Sequence, residues 1–368
     1  MSDAGYDIII VGGGVMGSST AYHLMQDKTL KVAVIEKDPT YARASTPLSI
    51  GNVRIQFNLK ENVQISLYAF EFMEDFEEAM AVDDVKPHIA WHREGNLFLV
   101  EAAQRKRAEG EMAMQRALGA NVEWWSREKV AERLSHCNLE PYVGGTFGPQ
   151  DGTMDPYAVL MGFRRKARAL GAGYLTDEVV DITTERGAVN GVRLGSGTLL
   201  TANRVLNCAG AWSTEIAKTA GVEIPVTPVK RQVFAVDPAT KQDSLPRLTV
   251  LPSGLYIAKE AGGTLFVSKT LPEDPVGFDF TWDEDRFMEV IWPELAEFNP
   301  QLETLKLIRG WAGLYAVNTL DANAILGEWP ELKGFYLATG FSGHGFQQAA
   351  AVGRHMAELM TGADPSMD

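Results

Sequence analysis

The sequence predicts an α/β (α+β) chain: a parallel-sheet domain assembled from discontinuous segments, carrying an inserted domain built on a mixed or antiparallel sheet. Two observations predict it. Short β-branched runs followed by helical stretches recur near the N-terminus, in the middle and at the C-terminus, the texture of a parallel sheet flanked by helices. Between them lie stretches of different character, roughly 84–140 and 226–319, where short alternating strands are punctuated by Pro and Gly.

Taken in order, residues 6–11 (YDIIIV) read as a buried strand. A helix follows from Val15 to about Gln26, and 31–36 (KVAVIE) form a second strand, completing one βαβ unit. A helix near 156–170 and strands near 174–183, 189–194 and 199–207 form the middle block. A strand at 334–339 and a helix at 346–360 close the chain, and strands at 247–251, 254–259 and 264–268 belong to the insertion. The expected division gives 1–83, 141–225 and 320–368 to the first domain, and 84–140 and 226–319 to the second.

The turn after the first strand, Gly12-Gly13-Gly14-Val15-Met16-Gly17, fits GxGxxG. Gly12 permits the tight turn, Gly14 lets a pyrophosphate approach backbone, and Gly17 lets helix pack close on sheet. The helix N-terminus offers free N–H groups to phosphate. Glu36 ends the next strand, where a carboxylate accepts hydrogen bonds from an adenosine ribose and disfavours a ribose 2′-phosphate. This context makes the domain Rossmann-like and its ligand a dinucleotide.

Three segments together resemble the D-amino acid oxidase and sarcosine oxidase superfamily of FAD-dependent oxidoreductases. They are the glycine turn with Glu36-Lys37 and 45–51 (STPLSIG), the turn 207–212 (NCAGAW), and 309–321 (RGWAGLYAVNTLD) joined to 338–348 (ATGFSGHGFQQ). Within it, 49–57 (SIGNVRIQF), Asn318-Thr319 and Gln347-Gln348 most resemble the FAD-dependent oxidoreductase domain-containing group, which includes a mitochondrial protein associated with complex I assembly. The resemblance covers nearly the whole chain. It implies FAD laid between the domains, held by Gly12, Gly14, Val15, Met16, Gly17, Glu36, Lys37, Ser45, Thr46, Ser49, Gly51, Val179, Ala209, Gly210, Trp212, Leu314, Gly343, His344, Gly345, Phe346 and Gln347. It implies substrate above the ring, with Arg54, His344, Tyr256 and Tyr315 as the catalytic set.

Departures from the family carry information. Some relatives bind FAD covalently through a Cys near the Thr-x-Asp segment or a His after the second strand; 309–321 holds no Cys and 37–57 no His, so non-covalent FAD is expected. A lysine that promotes reaction with oxygen in some relatives aligns with Leu265, with Lys259 and Lys269 nearby, which favours a dehydrogenase slightly over an oxidase. The arginine and lysine that grip a substrate carboxylate appear as Phe57 and Gln347, leaving Arg54, Lys230, Arg231, Tyr256 and Tyr315 as candidates.

Composition narrows the partners. With 48 acidic against 34 basic residues the net charge is −14, which repels nucleic acid and anionic membranes. Two cysteines, Cys137 and Cys208, make neither a disulfide framework nor a zinc cage, and no stretch is long and apolar enough to span a bilayer. A cytoplasmic protein is expected. His88 and His92 lack the glutamate of HExxH, 340–344 fails GxSxG, and no metal is expected. Residues 71–84, with Phe72, Met73, Phe76 and Met80 at helical spacing, read as an amphipathic helix with a solvated face, and Trp124, Trp125 and Trp282 as packing residues of the insertion.

The expected reaction is oxidation of the C–N bond of a small secondary or N-substituted amine or amino acid by hydride transfer to flavin N5, giving an imine that hydrolyses. The electron acceptor is a carrier or O2, and composition leaves the oligomeric state open. The alternatives are a flavin-dependent 2-hydroxy acid dehydrogenase and a flavoprotein assembly factor with structural FAD.

Overall fold

The protein is described by a computed structural model over residues 5–366. Its six-stranded sheet runs in the order Ile325–Glu328, Phe335–Thr339, Val205–Asn207, Ile8–Val11, Val32–Glu36, Gly173–Thr176. All neighbours pair in parallel except the edge strand Ile325–Glu328. The central strand is IIIV, and its three isoleucines are fully buried, each worth ~1.5–3 kcal/mol of apolar transfer. The mixed α/β class is as expected, and the sheet draws strands from all three separated blocks.

The first helix, Val15–Leu24, packs between this sheet and the last helix, Gly345–Thr361. Small residues permit the approach. A Cβ on Gly353 would stand 2.2 Å from the Ser19 Oγ. The first helix is buried on more than one face, so its Ser18 and Thr20 hydroxyls return hydrogen bonds to the Gly13 and Met16 carbonyls.

The second large sheet has eight strands, with the long antiparallel pair Val226–Pro238 and Leu305–Asn318 at one edge. One face carries Leu97, Leu99, Phe147, Phe234, Val236, Leu255, Ile257, Leu265 and Val267, packed on Phe287, Ile291, Leu295 and Phe298 of the helical stretch 286–298. By strand alternation the other face presents Phe98, Arg231, Tyr256, Phe266, Ser268, Trp311 and Tyr315. That second face looks toward the loop carrying Arg54.

Two expectations are corrected. Strand Tyr142–Gly148, assigned by the sequence reading to the first domain's segments, pairs with Asn96–Glu101 and Glu123–Ser126 inside the eight-stranded sheet. Its glycine-rich sequence YVGGTFG carries no alternation that would have located it. The stretch 71–84 is not one helix: Lys60–Glu74 ends at Asp75, and a single turn, Phe76–Ala79, follows. Trp282 packs on the insertion as expected, edge-on to Phe234 and over Gly310, although it is 38% exposed.

Candidate active site

The glycine turn is built by close approach. Gly12 has φ +98°, and a Cβ there would lie 2.6 Å from the Cys208 carbonyl oxygen; a Cβ on Gly17 would lie 2.0 Å from the Gly12 oxygen. Gly14 differs: its Cβ position has nothing within 4 Å. Gly14 also caps the first helix with no side-chain hydrogen bond, so the helix's leading N–H groups, from Val15, Met16 and Gly17 onward, face open space. A pyrophosphate fits there.

Glu36 accepts hydrogen bonds from the Gly13 N–H at 2.8 Å and the Asp38 N–H at 2.9 Å. Burial raises its carboxyl above the usual range, against those two donors and Lys37. A carboxylate offers about four lone-pair sites, so two remain for ribose hydroxyls. The turn 207–212 abuts Gly12, which brings Ala209 and Gly210 to the same place. Lys37 sits over the Trp212 ring at 4.5 Å.

Other expected cofactor residues join the two large sheets. The Ser45 hydroxyl donates to the Leu314 carbonyl at 2.7 Å, and the Trp311 indole donates to the Leu48 carbonyl at 2.8 Å. Thr46, Ser49 and Gly51 form a closed turn: the Ser49 hydroxyl donates to the Thr46 carbonyl and accepts from the Gly51 N–H. Val179 stands apart, its side chain buried in the core behind the three-stranded sheet 179–201.

At the other end, the start of the last helix meets the Arg54 loop. The Arg54 guanidinium lies 3.2 Å from His344 Nε2, 4.5 Å from the Phe57 ring centre and 5.3 Å from that of Phe98. Arginine only donates, so Nε2 accepts and the imidazole is the neutral tautomer with its proton on Nδ1. Burial and the Arg54 charge push His344 down to about 3, in agreement. Gln347 Oε1 accepts the Arg54 N–H at 2.7 Å, which fixes the loop to the helix. Gly343 has φ +98°, and a Cβ would stand 2.2 Å from the Tyr315 ring; Gly345 and Phe346 continue the helix start. Burial raises both Tyr256 and Tyr315; the neighbouring Tyr315 adds to the rise at Tyr256 against its hydrogen bond with Ser268, and the Arg231 and Arg54 charges oppose the rise at Tyr315.

The carboxylate candidates separate. Arg231 pairs with Asp274 at 2.7 Å, and Lys230 is buried against Asp279 at 2.6 Å. Lys259 is tied to Glu94 at 2.7 Å and Lys269 to Glu294 at 2.5 Å. Lys259 lines an open groove of about 380 Å³ with Arg247, Glu94 and Glu260, whose charges pair with one another and which none of the expected catalytic residues lines. Leu265 faces the helices, fully buried, so it is not a cleft position; Phe266 is its neighbour on the cleft face.

Three residues were missed. Asp151, fully buried, accepts the Ile55 N–H at 2.9 Å and the Gln56 amide at 2.8 Å, and burial pushes its carboxyl up to about 7 against those donors and Arg54. Asp274 gathers Arg231 and Arg286. Phe98 closes over Arg54. Among the described residues no group of three or more His, Cys, Asp or Glu side chains is placed to hold a metal ion.

A glycine turn opening onto a helix N-terminus, a ribose carboxylate and an aromatic cleft between two sheets define a dinucleotide-dependent redox protein. The chain belongs to the DAO family of FAD dependent oxidoreductases, which matches residues 7–359, and it is an FAD-dependent oxidoreductase. It is 36% identical over 395 residues to FAD-dependent oxidoreductase domain-containing protein 1 of Bos taurus, covering 96% of this chain and 81% of that one. It is 28% identical to mitochondrial dimethylglycine dehydrogenase of Homo sapiens, covering 98% of this chain and 43% of that one. Among solved structures, L-proline dehydrogenase from P. horikoshii superposes with a TM-score of 0.89 at 26% identity, covering 100% of this chain and 96% of that one.

Proposed function

We propose that the protein oxidises the C–N bond of a small secondary or N-substituted amino acid, releasing an imine that water hydrolyses. The observation that carries this reading is Arg54: a guanidinium enclosed between Phe57 and Phe98, with no carboxylate within ion-pair distance among the described residues. A desolvated charge without a partner is costly, and a substrate carboxylate supplies the partner. Similarity to dimethylglycine and L-proline dehydrogenases, whose names carry N-substituted amino acids, supports the amine class.

When bound, FAD would supply the two-electron acceptor for the hydride that leaves the carbon beside nitrogen. Gly14 and the first helix would hold its pyrophosphate, and Glu36 its ribose. Arg54 orients the substrate carboxylate, with Tyr256 and Tyr315 as O–H donors from the sheet face. Because Arg54 is already cationic, an ammonium beside it is repelled and the neutral amine is favoured. The amine then arrives without the proton a base would have to remove, and His344, neutral and weakly basic, is not required as that base.

The pairing of Lys259 and Lys269 with glutamates supports a dehydrogenase over an oxidase. Two free cysteines fit a reducing, cytoplasmic setting. The test is anaerobic mixing of the FAD-loaded protein with N-methyl amino acids, L-proline and a 2-hydroxy acid, read at the flavin absorbance. Bleaching by the amines supports the proposal; bleaching only by the hydroxy acid transfers it to C–O oxidation.

A further inference from the structure

We infer that residues 271–283 form a clasp over the adenosine side of the FAD site, built by the eight-stranded sheet and closed on the glycine-turn side by Phe278 and Phe280. This goes beyond the substrate reading and does not depend on it.

The base of the segment is stitched to the long strand Val226–Pro238. The Lys230 N–H donates to the Pro275 carbonyl and the Gly277 N–H to the Pro228 carbonyl, each at 2.9 Å, and Val229 bridges Val276. Lys230, buried, reaches Asp279 at 2.6 Å and Thr281 at 3.2 Å, and the Asp283 N–H donates to Gln232 at 2.6 Å. A surface loop held by an ion pair and four further contacts keeps its shape without help from what it covers.

Its tip touches the other unit. Phe278 stacks on Trp212 with ring centres 5.3 Å apart and planes 23° from parallel, and Phe280 lies 6.3 Å from the same ring at 16°. The Arg43 guanidinium lies 5.3 Å from the Phe280 ring and Lys37 4.5 Å from that of Trp212. These partners flank the glycine turn on both sides. Lys37 follows the ribose carboxylate Glu36, and Trp212 ends the turn that abuts Gly12. Three rings and two cations thus span the outer edge of the dinucleotide cradle. Phe278 remains 43% exposed, an unusual cost for a phenylalanine whose only task is to fill space. Arg43 has no carboxylate within 4.0 Å among the described residues, so its stacking on Phe280 is not competed for by an ion pair.

FAD therefore leaves only when the rings part. Replacing Phe278 and Phe280 together by Ala removes two stacked pairs, and release of FAD from the holoprotein on dilution, followed by recovery of flavin fluorescence, is expected to accelerate about tenfold. The apoprotein's thermal midpoint is expected to stay within a few degrees of the parent, since Phe278 is exposed and Phe280 only half-buried. Lys230→Met, which cuts the anchor, is expected to accelerate release in the same direction. A release rate within about twofold of the parent protein overturns the clasp, as does a fall in apoprotein stability that accounts for the faster release. A parent protein that retains FAD while F278A/F280A releases it faster supports the clasp whatever the substrate proves to be.

Discussion

The Arg54 guanidinium and the His344 ring are hydrogen-bonded at 3.2 Å, and the donor-only chemistry of arginine fixes the histidine as a neutral acceptor. Arg54→Ala should lower kcat/KM for the amino acid substrate by about 10- to 100-fold, the range of one charged hydrogen bond of ~1.5–3 kcal/mol. Arg54→Lys should not rescue it, because an ammonium cannot span the carboxylate and Nε2 in one plane. Equal kcat/KM for R54A and parent would sink the assignment.

Titration supplies a second expectation. His344 and His23 are lowered from 6.5 to about 3 and about 4, both chiefly by burial. Below pH 6.5 the unfolded chain takes up protons that the folded one refuses, so their contribution is full above 6.5 and is lost on acidification. Asp151 runs the other way. Raised from 3.8 to about 7, it keeps its proton when folded, and the contribution is lost as pH rises through that window. Replacing both histidines by Gln should therefore leave Asp151 dominant, and the urea midpoint should rise between pH 7 and pH 5. A midpoint that still falls over that interval would contradict the assignment.

The glycines should separate binding from folding. Gly14→Ala places a methyl in open space and should leave apoprotein stability within about 1 kcal/mol of the parent while weakening FAD retention. Gly17→Ala drives a methyl to 2.0 Å from the Gly12 oxygen and should destabilise the fold itself, by about 2–3 kcal/mol. Chemical denaturation and flavin content, measured on both variants, distinguish the two effects.

FAD should be extractable. Acid precipitation of the purified protein is expected to leave a yellow supernatant and a colourless pellet, since 309–321 offers no Cys and 37–57 no His. A pellet that keeps the flavin absorbance would overturn non-covalent binding.

Reoxidation gives the last expectation. With Lys259 and Lys269 bound to Glu94 and Glu294, the cleft face of the central strands presents Tyr256, Phe266 and Ser268, and no free lysine among the described residues there. The substrate-reduced protein should be reoxidised faster by a dye acceptor than by air. Stopped-flow mixing with each oxidant, read at the flavin absorbance, decides it; faster reoxidation by air favours an oxidase.

What was legible from sequence is what is local. The strand 8–11, the glycine turn and Glu36 lie within one βαβ unit, so spacing alone places them. Asp151 was not legible: it meets Ile55 and Gln56 from 96 and 95 positions away, and in sequence it is one acidic residue in a Gln-Asp-Gly turn. Asp274 and Phe98 reach Arg231 and Arg54 across 43 and 44 positions in the same way. Leu265 failed for another reason. A strand alternates its faces, so an alignment off by one residue moves a side chain from cleft to core, and the sheet turns Phe266 rather than Leu265 to the cleft.

The six-stranded sheet bears on how the chain is made. Its centre, Ile8–Val11, is made before its neighbour Val205–Asn207 and long before that strand's partner Phe335–Thr339. The isoleucines at the heart of this sheet must therefore wait until Phe335–Thr339 has been made before the sheet is complete, exposed to the aggregation that long-range pairing invites. A chain truncated before Phe335 would lose the parallel partner of Val205–Asn207 and the helix packed on Ser19 together.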